Sequence, residues 1–151
     1  MVGQVDFNTL LVPVDFSHNS KTAFAQATWL VSGDNPVVIL LHVIDSSLPK
    51  FAEAHDLGPR GEITHRMRKR AEAQLQEYVD ASPDEIEVDS IISEGLPFLE
   101  ILQKADDFAV DAIVMSRIGR RGKVEDLLFG STAEKVLRGS SKPVLVLPPS
   151  D

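Results

Sequence analysis

Four segments of this chain are nearly unbroken apolar runs only four to seven residues long: Thr9–Val14, Val37–Val43, Ala112–Met115 and Pro143–Leu147. A strand with one wet face alternates polar and apolar residues, so runs of this kind mark strands buried on both faces, as in a parallel sheet covered by helices. A weaker run carrying Ile86, Val88 and Ile91, and ending near Glu94, reads as a further strand. Five strands result.

The segments between these runs carry helical spacing. After the first strand, Ser17, Asn19 or Ser20 can cap a helix in which Phe24, Ala27 and Val31 recur, before Gly33 and Pro36 close it. From Glu62 the apolar positions Ile63, Met67, Ala71, Leu75 and Val79 step by four, which gives a surface helix with one inward stripe. Gly95 and Pro97 turn the chain into a helix with Phe98, Ile101, Leu102 and Ala105 inward, and Gly130, Ser131 and Thr132 open a last one with Ala133, Val136 and Leu137. Between the second strand and Glu62, the stretch Ser46–Gly61 mixes Pro, Gly and charge, and reads as a long surface loop able to act as a mobile lid. Strands alternating with helices require right-handed crossovers. The expected fold class is therefore α/β, a three-layer doubly wound parallel sheet of five strands. With 151 residues, 43% of them hydrophobic, residues 1–151 make one domain with a real core and no room for a second.

Charge and composition exclude several functions. A net charge of -8 repels nucleic-acid phosphates and anionic membranes, so neither is an expected partner. The absence of cysteine removes disulfides, thiolate metal sites and cysteine nucleophiles. No apolar run approaches the roughly 20 residues of a membrane span, and the first residues lack the basic and apolar regions of a secretion signal. The expected location is cytoplasmic.

In doubly wound sheets, ligands bind outside the carboxyl ends of the strands, where strand order reverses. That singles out the loops after Val14, Val43 and Met115. Asp15 directly follows the first strand, where its carboxylate either complements a helix dipole or faces a ligand. From Ser116 to Arg138, Gly119 and Gly122 allow close wrapping around an anion, and Gly130, Ser131 and Thr132 offer amide protons and a hydroxyl at a helix N terminus. Arg117, Arg120, Arg121 and Lys123 make this stretch locally basic. It is not a P-loop, because the four-residue spacing between glycines and the Ser or Thr after Lys are both missing, and no dinucleotide fingerprint follows the first strand. A receiver-type phosphoacceptor pocket fails as well, since Ser93 or Glu94 and Pro148 stand where an Asp and a Lys are needed. The four histidines have no metal-binding spacing, and His42, inside a strand, reads as a hydrogen-bonded core residue. Glu125 and Asp126 are the acids near the glycines, and both read as solvated charges.

From end to end the chain resembles the universal stress protein family, through LLVPVDFS, VILLHVID, DAIVMSRIG, GSTAEKVLR and the closing KPVLVLPP. The resemblance implies the adenine-nucleotide alpha-hydrolase-like fold with strand order 3-2-1-4-5. In the nucleotide-binding branch, Gly-x-x-Gly, nine residues, then Gly-Ser or Gly-Thr cradle the ATP phosphates, while the Asp after strand one and a backbone group ending strand two hold adenine. By position this implies Asp15 and Val43 at the adenine, with Pro13 and Val14 lining the base pocket and Met115 and Ser116 also among the nucleotide-binding residues. It places Gly119 and Gly122 near ribose and phosphates, and Gly130, Ser131 and Thr132 on the phosphates. Two departures stand out: Ser116 replaces the first glycine, and residues 120–129 make ten between Gly119 and Gly130 instead of nine.

The resemblance thus implies an ATP-binding regulatory or sensor module of the stress response, with AMP or cyclic AMP as other ligands and Mg or Mn accompanying the phosphates. The alternatives are a slow ATPase using the same cradle and a nucleotide-independent interaction domain. No catalytic residue is evident. Expected partners are a second copy of the chain, paired through Pro143–Leu147, and a regulatory protein.

Overall fold

The computed structural model describes residues 6–119 and 129–149. In chain order these form β1 (Thr9–Pro13), α1 (His18–Leu30), β2 (Val37–Asp45), α2 (Ser47–Ala54), α3 (Arg60–Asp80), β3 (Glu87–Gly95), α4 (Pro97–Asp107), β4 (Ala112–Ser116), α5 (Ser131–Gly139) and β5 (Val144–Leu147). The strands make one parallel sheet in the order β3-β2-β1-β4-β5. Thr9 pairs with Val37 on one side of β1 and Leu10 with Ala112 on the other. The chain therefore winds outward from β1 first one way and then the other, and the reversal falls between β1 and β4.

Successive strand residues point to opposite faces, and here both faces are covered. Leu10, Val12, Val38, Leu40 and Val114 pack with Phe24 and Ala27 of α1 and with Leu75 and Tyr78 of α3. Leu11, Ile39, Leu41, Ile113 and Met115 pack with Ile101 and Ala105 of α4 and with Ala133 and Val136 of α5. This is why the central runs show no alternation. At roughly 1.5–3 kcal/mol for each large apolar side chain removed from water, the two layers supply most of the driving force for folding. Edge strand β3 is mostly exposed or half-buried, with Ser93 its one fully buried residue, and its weak apolar signal follows from that.

One segment departs from the sequence reading. Ser46–Gly61 is not one long loop: Ser47–Ala54 is helical and α3 begins at Arg60. Asp45 Oδ1 accepts from Ser47 N (3.0 Å) and Ser47 Oγ (2.7 Å), which holds the start of α2. Pro49 is tolerated because first-turn amides have no intrahelical acceptor in any case. The helix buries only Pro49 and leaves Leu48 and Phe51 exposed, so it lacks the apolar stripe by which helices are recognised. In α3 the expected stripe is present, with Tyr78 joining Ala71 and Leu75 in the core.

Candidate functional site

The first part of the site is the end of β1. Val14 N donates to Leu41 O at 2.8 Å, which carries the sheet pairing one residue beyond the strand. Phe16 then adopts a left-handed backbone, φ 66°, a conformation that costs a non-glycine residue roughly 1–2 kcal/mol. The reversal brings Ser17 N back to within 3.0 Å of Asp15 Oδ1, to which it donates. Ser17 in turn caps α1, its Oγ accepting from Ser20 N at 3.2 Å. Asp15 is thereby held, half-buried, at the carboxyl edge of the sheet.

The second part comes from β4 and α5. Arg117 N donates to Leu147 O, and Gly130 N donates to Arg117 O, each at 2.8 Å. The start of α5 is thus tied to the loop that leaves β4. A Cβ on Gly130 would lie 3.1 Å from Arg117 O, and one on Gly119 would lie 2.5 Å from Asp15 Oδ2. Neither glycine has a positive φ; what both positions require is space. Gly119 lets two loops meet at the Asp15 carboxylate, and Gly130 lets α5 close onto the same loop. Among the described residues no side chain caps α5, where Ser131, Thr132 and Ala133 place first-turn amides at the positive end of the helix dipole. Arg117 Nε is buried and has no acceptor among the described residues.

The expected residues divide accordingly. Asp15, Gly119 and Gly130 form one continuous set of contacts, with Ser131 and Thr132 opening α5 beside them. Pro13 is half-buried at the end of β1 and Ser116 ends β4, but Val43 is half-buried inside β2, paired with Ser93, because the strand continues past the expected end to Asp45. Val14 and Met115, 5% and 6% exposed, direct their side chains into the two core layers. Gly122 lies outside the described residues. His42 is hydrogen-bonded, as expected of it: Nδ1 donates to Val14 O at 2.8 Å. The sequence reading did not connect it to Phe16 and Tyr78. The Phe16 ring stacks on His42 (4.4 Å between centroids) and meets Tyr78 edge-on (6.1 Å). Burial pushes the Tyr78 phenol above its ordinary pKa; a hydrogen bond with Ser20 opposes this, and the Asp15 and Glu77 charges add to it. These partners come from three elements far apart in sequence, and no local pattern announces them.

A cavity of about 200 Å³ opens nearby between α2, α3 and the ends of β2 and β3, lined by Ile44, Ser46, Pro49, Lys50, Arg60 and Glu94 among others. None of the expected site residues lines it. Its Arg60 and Glu94 are engaged in ion pairs with Glu53 (3.3 Å) and Arg68 (2.8 Å). Among the described residues no cluster of three or more His, Asp or Glu could hold a metal ion, and no helix is long and apolar enough to cross a membrane.

A doubly wound parallel sheet of order 3-2-1-4-5 covered by helices on both faces defines an α/β fold of the adenine-nucleotide alpha-hydrolase-like type. Residues 6–148 match the model of the universal stress protein family, and the chain belongs to that family. It is 30% identical to the universal stress protein MJ0577 of Methanocaldococcus jannaschii, over 95% of this chain and 96% of that one. The solved structure of MJ0577 superimposes with a TM-score of 0.85, covering 97% of this chain and 99% of the other. A universal stress protein solved in complex with cAMP (20% identity, TM-score 0.65, 96% and 99% covered) shares the fold. So does one from Archaeoglobus fulgidus in complex with dAMP (20%, 0.62, 95% and 98%).

Proposed function

We propose that this chain is an adenine-nucleotide-binding regulatory module, with ATP as its ligand, held at the edge formed by Asp15, Val43, Gly119, Gly130 and Ser131. The observation that carries the reading is the contact chain from Asp15 through Gly119 to Gly130. It sets the Asp15 carboxylate at one end of this contact chain and the first-turn amides of α5, which has no side-chain cap among the described residues, at the other. A ligand that suits both ends carries a hydrogen-bond donor on a flat base and an anion several bonds away. An adenine nucleotide has this form: its amino group donates to Asp15 and its phosphates accept from the amides at the start of α5. The cAMP and dAMP complexes of two proteins with this fold support the choice of base. The protein offers no metal-ligand cluster among the described residues, so Mg or Mn would arrive coordinated by the phosphates.

The regulatory reading is completed by a second copy of the chain. β5 is an edge strand with Leu145 exposed, and pairing between copies would cover an apolar edge that otherwise invites uncontrolled association. Native mass spectrometry of freshly purified protein tests the ligand directly. A retained mass equal to an adenine nucleotide is expected, and protein that carries none and gains none on adding ATP with magnesium would contradict the reading.

A further inference from the structure

We infer that His42 and Phe16 are positioning residues for the Asp15 carboxylate, and through it set the selectivity of this edge for its purine. The ligand half of this inference rests on the nucleotide reading above. His42 acts on both sides of Asp15. Its Nδ1 donates to Val14 O, the carbonyl of the peptide entering Asp15, at 2.8 Å. Its ring carries the Phe16 ring, which belongs to the residue leaving Asp15, at 4.4 Å and 29° between planes. The backbone between these two anchors must turn sharply, and it does so through the positive φ of Phe16. That turn brings Ser17 N onto Asp15 Oδ1.

Phenylalanine is a poor residue for a left-handed turn, because its Cβ crowds the backbone where glycine has none. The surroundings hold it there. Tyr78 closes on the Phe16 ring from the side at 6.1 Å and 77°, and is itself held by Phe24 at 5.4 Å and by Ser20 Oγ at 3.4 Å. β2, α3 and α1 thus converge on one loop residue. Strained backbone that persists because its surroundings over-determine it clusters at functional sites. Here it sits beside the carboxylate that Gly119 must clear, where a Cβ would lie 2.5 Å from Oδ2. The carboxylate therefore has little freedom to move.

The test combines calorimetry with NMR of the ligand-free protein. His42→Ala is expected to lower ATP affinity about tenfold, the order of one well-placed hydrogen bond to a charged group, and to shrink the ATP-over-GTP preference with it. Combined with Asp15→Ala, it should weaken binding no further than Asp15→Ala alone. Phe16→Gly keeps the left-handed turn without the ring and Phe16→Ala loses both, so Gly should retain more affinity than Ala. In the ligand-free protein, the Ser17 amide resonance should follow the titration of Asp15 in the wild type and cease to do so in His42→Ala. Additive losses, an unchanged ATP-over-GTP ratio and equal effects of Gly and Ala at Phe16 would reduce both residues to packing and overturn the inference. If the wild type binds no nucleotide, the functional reading falls alone, and a Ser17 amide that still follows the Asp15 titration in His42→Ala would then overturn the positioning role by itself. Should His42→Ala unfold, the Phe16 pair carries the same readouts.

Discussion

An alanine at Gly119 would put its Cβ 2.5 Å from Asp15 Oδ2, closer than a carbon and an oxygen approach without bonding. The loop or the carboxylate must then move. Gly119→Ala is expected to weaken ATP binding by about tenfold or more, with the 1–3 kcal/mol typical of overpacking as the upper range of its effect on stability; calorimetry and thermal melts on one sample separate the two. Asp15→Ala removes the proposed acceptor for the adenine amino group, so affinity should fall by about 1–3 kcal/mol and discrimination against GTP should disappear. Asp15 and the two glycines were legible in the sequence from their places after strands and before a helix. The reason glycine is needed at Gly119 was not, because it is a contact between residues 15 and 119 and not a local dihedral. Phe16 also escaped notice: an aromatic residue after an acid carries no sign of positive φ, which arises from packing against His42 and Tyr78.

Among the elements, β5 and α3 allow the sharpest tests. Val144 and Val146 pack into the α4/α5 layer, while Leu145 faces outward at 41% exposure. A charge at Leu145 therefore probes the proposed pairing of copies without entering the core. Leu145→Glu should convert a dimer into a monomer in light scattering with its melting temperature otherwise kept, and an unchanged dimer would place the interface elsewhere. In α3, the raised pKa of Tyr78 predicts an alkaline weakness. Below pH about 10, tyrosine holds its proton folded or unfolded. Above it the unfolded chain loses the proton first, so stability falls as pH rises through the raised folded value. Tyr78→Phe should flatten this decline in thermal melts between pH about 9 and 11; an identical slope would contradict it. Elements with a continuous apolar run or a long stripe were readable from the sequence. α2 was not, because it is short, contains Pro49 and buries almost nothing, and its start is fixed by Asp45 instead of by an apolar face.

For the whole molecule, crossover handedness gave a doubly wound parallel sheet and the family resemblance implied its strand order, which the sheet shows. The electrostatics set a further condition: a chain of net charge -8 must bind a polyanion against its own field, so the phosphates need a local source of attraction. The start of α5, with no side-chain cap among the described residues, would be one such source in the proposed complex. The most direct measurement is calorimetry of the wild type and Gly130→Val against ATP with magnesium and against adenosine. The valine side chain would press on Arg117 O and fill the space before the α5 amides, so the account predicts saturable heat for ATP in the wild type and a far larger loss for ATP than for adenosine in the variant. No heat with ATP in the wild type, or equal losses for both ligands in Gly130→Val, would contradict it.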